Sequence, residues 1–256
     1  MYQIIQYIKF LLSSTNQHGV HSPFVYLLVT ECFYNKKQQQ AYKALHHYRE
    51  ALCKTKKTIT VKDFGAGSRV FKSNERAVAK IAKTAGITTK RAQLLNRLVA
   101  YLDIENSLEL GTSLGLATAA LSVNNAHTKI TTIEGCPATA AVAQAQFTTF
   151  KLNNIQLIVD NFTEALPKVT SQKFDLIYID GNHQKAATLN YFETLLPTTH
   201  NDTLIIFDDI HWSRAMTEAW ETIKQHPKVT VTIDTFYWGF VFFRKEQAKE
   251  HFTIRV

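Results

Sequence analysis

Two groups of residues in this chain have the types and spacing to do chemistry. The first lies in Ser107-Leu108-Glu109-Leu110-Gly111-Thr112-Ser113-Leu114-Gly115-Leu116-Ala117. It reads as a short buried strand, a glycine turn and a helix start. Gly111 allows a sharp turn, and Gly115 allows a ligand or strand to come close. Backbone N–H groups at such a helix start lack intrahelical partners and can meet a ligand. The spacing is Glu-x-Gly-x-x-x-Gly, with Ser113 where the Gly-x-Gly-x-x-Gly pattern of dinucleotide sites has its second glycine. A pyrophosphate would be repelled by Glu109. A ligand carrying an ammonium would be held by it. Glu134 follows 25 residues later, at the end of Thr131-Thr132-Ile133-Glu134-Gly135. An acid at that distance suits the vicinal hydroxyls of a ribose, because a carboxylate accepts two hydrogen bonds side by side. It could equally serve as the N-terminal charge of the next helix.

The second group closes two apolar runs. Phe174-Asp175-Leu176-Ile177-Tyr178-Ile179-Asp180-Gly181-Asn182-His183 and Leu204-Ile205-Ile206-Phe207-Asp208-Asp209-Ile210-His211-Trp212 both read as buried strands ending in acids. Neighbouring parallel strands bring their carboxyl ends together, where ligands sit. Asp180, Asp208 and Asp209 are therefore expected to converge. Three carboxylates in one mouth repel unless a cation or protons relieve them, and a hard divalent ion with oxygen ligands would do so. His183 could take a proton from a substrate hydroxyl, having an ordinary pKa near ~6.5. Trp212, Tyr237 and Trp238 could wall an aromatic substrate or belong to a core.

The elements that must position these groups follow from periodicity. Strands are expected at 107–111, 129–134, 155–159, 174–179 and 203–208. Helices are expected near 115–124, 137–150, 184–196 and 213–225, with a short one near 163–169. Strict alternation argues for a parallel sheet covered by helices. Val229–Asp234 and Gly239–Phe243 are too close for a crossover helix, so they must pair antiparallel. Residues 1–104 read as a helical N-terminal lobe and 105–256 as the sheet domain. A helix over Lys90–Asp103 carries Leu94, Leu95, Leu98, Val99 and Leu102 on one stripe.

Val61-Lys62-Asp63-Phe64-Gly65-Ala66-Gly67-Ser68 is a competing glycine turn. No strand ending in an acid follows it at the required distance; Ser73–Thr84 reads as helix instead. The 63–68 loop is therefore expected in the N-terminal lobe, as a lid over substrate.

From 107 to 243 the chain resembles class I S-adenosylmethionine-dependent methyltransferases, and in particular the metal-dependent O-methyltransferases of the catechol and caffeoyl-coenzyme A type. The resemblance rests on the Glu109–Gly115 turn, Glu134, Asp180 and the Asp208-Asp209 pair. It implies a Rossmann-like, seven-stranded α/β sheet, mostly parallel, with an antiparallel C-terminal hairpin. It implies S-adenosyl-L-methionine held by Glu109, Gly111, Thr112, Ser113, Gly115, Glu134, Asn161, Phe162 and Asp180, with Asp160-Asn161-Phe162 at the adenine edge. It implies a divalent cation such as Mg²⁺ on Asp180, Asp208 and Asp209. Asp209 stands where that family has Asn, and His183 where it has its catalytic Lys. His183 and Asp180 are the catalytic candidates, for metal-assisted O-methylation of small hydroxyl substrates, aromatic ones included. The alternative is an RNA or protein methyltransferase with the same cofactor site and no metal.

The composition fits these expectations. The chain has 256 residues, 45% hydrophobic and 20% charged, as in globular proteins. A net charge of +8 leaves nucleic acid as a partner, although no basic run marks a binding tail. Cys32, Cys53 and Cys136 are too far apart for a Cys-x-x-Cys site, which suits a reducing cytoplasm. His18 and His21 lack acidic or thiol company, and a loop over the site mouth explains them better than a metal pair. No segment is expected to span a bilayer. Ile4, Ile5, Ile8, Leu11 and Leu12 share one helical face opposite Gln3, Gln6 and Lys9. That helix is expected to dock on the body or on a second subunit in a homodimer, with less support for a membrane surface.

Overall fold

The computed structural model describes residues 1–256 except Asp63, Ala66, 68–70 and Lys72. Its elements, in chain order, begin with α1 (Tyr2–Ser13), α2 (Pro23–Leu27, continued by a π-helical turn, Leu28–Phe33) and α3 (Gln40–Lys54). Next come β1 (Thr58–Thr60), β2 (Glu75–Ala77), α4 (Val78–Thr84) and α5 (Thr89–Tyr101). Then follow β3 (Asn106–Leu110), α6 (Leu116–Ser122), β4 (Lys129–Glu134), α7 (Pro137–Thr149), β5 (Ile155–Val159) and α8 (Phe162–Ala165). The chain ends with β6 (Leu176–Ile179), α9 (Lys185–Leu195), β7 (Leu204–Asp208), α10 (Arg214–Gln225), β8 (Val231–Asp234), β9 (Trp238–Phe242) and β10 (Glu250–Thr253). Among the described residues no helix is long and apolar enough to cross a membrane.

The chain forms two compact units: residues 1–35 with 170–256, and residues 36–169. The unit of residues 36–169 holds β1 to β5, and the other unit holds β6 to β10.

In the unit of residues 36–169 the strand order is β3-β4-β5, all parallel, with Glu109 level with Thr132 and Glu134 level with Val159. The run Ser107–Leu110 is wholly buried, as expected of a parallel strand covered on both faces. Asn96 is the buried polar residue of the α5 stripe. Its amide donates to the Ala120 and Val123 carbonyls, satisfying acceptors at the end of α6. β1 and β2 form an antiparallel hairpin where Ser73–Thr84 was expected to be helical. The helix starts only at Val78, whose N–H bonds the Lys57 carbonyl and ties the helix start to the hairpin.

In the other unit the order is β10-β8-β9-β7-β6. β6 and β7 are parallel, β9 runs antiparallel to both β7 and β8, and β10 runs parallel to β8. The C-terminal hairpin is thus present, and β10 is a further strand that was not expected. Glu250-His251-Phe252-Thr253 escapes a pattern search because it is a four-residue edge strand with Phe252 as its buried side chain. On α10, Met216, Ala219, Trp220 and Ile223 form the inward stripe. Gly239 lets Trp220 lie against β9: a Cβ there would sit 2.6 Å from the indole.

Candidate active site

The glycine turn lies in the unit of residues 36–169. Its backbone is held in left-handed conformations at Gly111 (φ 101°), Ser113 (φ 50°) and Gly115 (φ 75°). A non-glycine residue at positive φ is uncommon, so Ser113 marks stored strain. Its N–H donates to Glu134 Oε2 at 2.8 Å, while Cys136 N–H donates to Oε1 at 2.8 Å. Glu134 therefore clasps the turn and the N-terminus of α7 together. It combines the two expected placements: it is half-exposed at the end of β4, and it serves the start of α7. A carboxylate offers about four acceptor positions, enough for two amides and a pair of vicinal hydroxyls.

The turn has internal anchors of its own. The Gly111 and Thr112 amides donate to the Ile133 carbonyl, and the Gly115 amide to the Thr112 carbonyl, so these groups brace the turn itself. Gly115 makes room for protein rather than ligand: a Cβ there would lie 2.5 Å from both Phe147 Cε1 and the Tyr48 hydroxyl. Glu109 is fully buried, and its Oε2 accepts from the Thr118 and Thr132 hydroxyls. It ties β3 to β4 and α6. Thr112 is likewise buried, its hydroxyl 2.6 Å from that of Thr132. Burial and the Glu109 charge hold the Tyr48 phenol well above its ordinary pKa, so it stays a neutral donor to the Leu114 carbonyl.

At the end of β5, Asn161 caps α8 by accepting the Glu164 N–H, which leaves its side-chain NH₂ as a donor. Phe162 beside it is half-buried. Asp160 binds Lys168 at 2.7 Å, which lowers its carboxyl pKa.

Of the competing glycine loop, Asp63, Ala66 and Ser68 lie outside the described residues. Phe64 is described. Its ring covers Gly135, where a Cβ would lie 2.9 Å away. Lys62 N–H reaches Cys136 Sγ at 3.3 Å. This stretch is thus anchored beside Glu134.

The acids of the second group lie in the other unit, where Ile179 is level with Phe207. Asp180 and Asp208 therefore leave adjacent strands at matched positions. His183 Nε2 is 3.5 Å from Asp180 Oδ1. Burial pulls the His183 pKa down, but the hydrogen bond and charge of Asp180, with the charges of Asp209 and Asp208, raise it to about 9. His183 is thus an imidazolium at neutral pH, not the vacant base expected from its ordinary value. Nor does it cap α9, which starts after Gln184.

The Tyr178 hydroxyl lies 3.0 Å from Asp208 Oδ2 and 3.5 Å from Asp180 Oδ2. Asp208 Oδ1 accepts the Asp209 N–H at 2.8 Å. Both oxygens of Asp208 thereby have donors, and the cation in the mouth is a side chain. Among the described residues no three His, Cys, Asp or Glu side chains are placed to hold a metal ion. Asp180, Asp208 and Asp209 are the residues that would hold a divalent ion, and Asp208 keeps acceptor positions beyond its two donors. Asn182, His183, Asp209 and Phe236 all have positive φ, concentrating backbone strain around this mouth. Trp212 is 6.4 Å from His183, ring to ring, and Tyr237 is about half exposed. Trp238 is buried core.

Residues 108–210 match the family model described as a methyltransferase domain. The match takes in the glycine turn, Glu134, Asn161, Asp180, His183 and the Asp208-Asp209 pair. Solved structures similar to this chain share its fold. One is the SAH-bound methyltransferase PaMTH1 of Podospora anserina, with 14% identity, 88% of this chain and 97% of that one covered, and a TM-score of 0.62. Another is an O-methyltransferase of Bacillus cereus in complex with SAH, with 18% identity, 85% and 94% covered, and a TM-score of 0.56. A third is the O-methyltransferase TomG of Streptomyces achromogenes in complex with SAM, with 16% identity, 90% and 99% covered, and a TM-score of 0.56. No curated protein sequence matches the chain.

Within the matched residues, the residue that sequence reasoning missed is Tyr178. The signal was present: on a strand, residues two apart share a face, so Tyr178 points the same way as Asp180. Phe64 gave no such signal, because its contact with Gly135 is long-range in sequence, as is the Lys62 contact of Cys136.

Proposed function

We propose that the protein transfers the methyl group of S-adenosyl-L-methionine to the oxygen of a small hydroxylated substrate. The observation that carries this is the Glu134 clasp on the strained Ser113 turn, inside a sequence that matches a methyltransferase domain. The donor set suits the nucleoside part of that molecule. Glu134 offers acceptors for ribose hydroxyls, Asn161 an amide donor and Phe162 a ring face. When bound, the molecule would supply a sulfonium methyl: an O–CH₃ bond would form, the C–S bond would break with its electron pair returning to sulfur, and the hydroxyl proton would pass to bulk water. The O-methyltransferases among the structural neighbours, bound to SAH or SAM, support the choice of donor and of oxygen as acceptor.

The protein's part is alignment and charge. His183, held by Asp180, supplies a positive charge and a hydrogen-bond donor for the oxygen that loses its proton. This is what a divalent cation would supply in the metal-assisted form of the reaction, with Asp180, Asp208 and Asp209 as its ligands. The Tyr178 and Asp209 donors on Asp208 favour the form without metal. Trp212 and Tyr237 give the mouth aromatic surface suited to an aromatic acceptor.

The test is calorimetric titration of the protein with S-adenosyl-L-methionine and with NAD, followed by methyl uptake from labelled donor into a panel of catechols, aliphatic alcohols and tRNA. Heat with the methyl donor alone and labelling of a phenol support the reading. Heat with NAD alone, or labelling confined to tRNA, overturns it.

A further inference from the structure

The net charge of +8 is spread unevenly along the chain. Residues 36–97 hold 16 of its 29 Lys and Arg but 3 of its 21 Asp and Glu, a net +13, so the remaining residues sum to −5. The cations of this segment are dispersed over α3, the β1–β2 hairpin, α4 and α5, all within the unit of residues 36–169. α3 packs against both α4 and α5, so the cations share one lobe. A charge asymmetry of this size within one chain points to a polyanionic partner.

Arginine and lysine take different places in this lobe. Its four described arginines, Arg49, Arg76, Arg91 and Arg97, are half-buried. Arg49 donates to the Ala82 and Ile87 carbonyls and Arg97 to the Tyr42 hydroxyl, so these two hold the lobe together. The lysines face water: Lys43 and Lys54 on α3, Lys57 ahead of β1, Lys80 and Lys83 on α4, and Lys90 on α5 are all exposed. Lys54 pairs with Glu50 at 2.7 Å, and the other five have no acidic partner among the described residues. Lys90 and Arg91 stand in the first turn of α5, which holds no acid, although the helix dipole favours an anion there. Unrelieved like charges destabilise the lobe, and a bound anion removes that cost. Phenylalanines are interleaved with the cations. Lys62 Nζ lies 4.9 Å from the Phe64 ring centroid, and the Arg76 guanidinium and Lys80 Nζ lie 5.0 and 5.2 Å from that of Phe71.

We propose that this lobe is a nucleic-acid-binding surface that grips the phosphate backbone, independently of which oxygen the protein methylates. Three features select that partner. Exposed lysines are point charges suited to phosphate, whereas protein interfaces are depleted in lysine and enriched in arginine. Phe64, 47% exposed, and the half-buried Phe71 offer rings to unpaired bases beside the cations that hold the strand. A lipid surface would need apolar side chains to insert, and among the described residues of 36–97 Phe64 is the one large hydrophobic side chain exposed.

Fluorescence anisotropy of a labelled single-stranded RNA of about 20 nucleotides with the full chain, between about 50 and 200 mM KCl, tests this. Roughly four phosphate contacts give a log–log salt slope near about −3, so binding should weaken roughly fiftyfold across that range. Lys43→Glu/Lys57→Glu/Lys83→Glu should weaken low-salt binding by more than about tenfold and shrink the slope by about two. Lys9→Glu/Lys228→Glu/Lys245→Glu makes the same change in net charge on exposed lysines of the other unit and should stay within about threefold of the wild type. Unchanged far-UV circular dichroism confirms that both variants are folded. A wild type that does not bind at low salt, or binds with no salt dependence, overturns the proposal. So do equal losses in the two triple variants. Polyglutamate that displaces the labelled strand as well as unlabelled RNA of equal charge would reassign the lobe to an acidic protein partner.

Discussion

Glu109 and Asp208 face the same physical problem in the two units. Each is an acid on a buried strand, and each needs partners to replace lost water. Glu109 is served by two threonine hydroxyls, one on the next strand and one on the next helix. Asp208 is served by the amide of Asp209 and the phenol of Tyr178. The region around Glu109 is sealed, and its glycine turn is braced by its own backbone. The region around Asp208 keeps Asp180 and His183 half-exposed on a strained backbone, so its charge stays accessible. One carboxylate is sealed and fixes a turn. The other belongs to a charged group that, under the proposed function, acts on a substrate. The same residue type at similar strand positions therefore has two uses, and its hydrogen-bond donors distinguish them.

The sharpest way to break this comparison is to disturb the sealed turn. Gly115→Ala places a methyl against Phe147 and Tyr48 at a residue with φ 75°. Overpacking and left-handed backbone together should cost about 3 kcal/mol, read as a lower urea midpoint with unchanged slope. A change below about 0.5 kcal/mol would mean that the turn is not rigid.

The charged mouth should respond to pH instead. The folded His183 pKa lies near 9, above its ordinary 6.5. Its contribution to stability is therefore fully present below the unfolded value and is lost as pH rises through 9, an effect on the order of a few kcal/mol. Thermal melts of wild type and His183→Gln should differ most near pH 6 and converge near pH 10. A gap that grows with pH would show that His183 is held neutral. Turnover should follow the same alkaline limb, whereas a base role would produce an acid limb near 6.5.

A smaller effect separates the two regions by ligand. Glu134→Ala should weaken S-adenosyl-L-methionine by about 2 kcal/mol, or roughly thirtyfold, through lost charge-assisted hydrogen bonds. Asp208→Asn should leave that affinity within about threefold. Equal losses in the two variants would join the regions into one binding surface.

These regions also differ in how far the sequence reveals them. Runs such as Leu204-Ile205-Ile206-Phe207 are read easily because a strand buried on both faces is continuously apolar. The turn at Gly111–Gly115 is legible because glycine spacing encodes backbone conformation. The β1–β2 hairpin is not, since two three-residue strands give no period to detect. The role of Glu109 was hidden for a different reason. Its burial depends on Thr118 and Thr132, which reach it only once β4 and α6 are in place. The raised His183 pKa likewise depends on three acids, two of them more than 20 residues away in sequence. Local pattern carries the scaffold and the glycine turn, whereas the electrostatics of the mouth arise from tertiary neighbours.

The smallest expected effect concerns metal. If the Tyr178 hydroxyl and the His183 charge already compensate the acids, dialysis against EDTA should leave turnover unchanged within about twofold, and added Mg²⁺ should not raise it. Tyr178→Phe sharpens the point, because it removes one donor from Asp208 and should cost about 1 kcal/mol of stability. With that donor gone, the acids hold more uncompensated charge, and a divalent ion should begin to raise the melting temperature of the variant while leaving the wild type unmoved. Turnover of the wild type that collapses in EDTA and returns with Mg²⁺ would assign the mouth to metal chemistry and make His183 a bystander. Insensitivity in the wild type with a gained response in Tyr178→Phe would instead show that a phenol and an imidazolium hold together a cluster of acids that otherwise needs an ion.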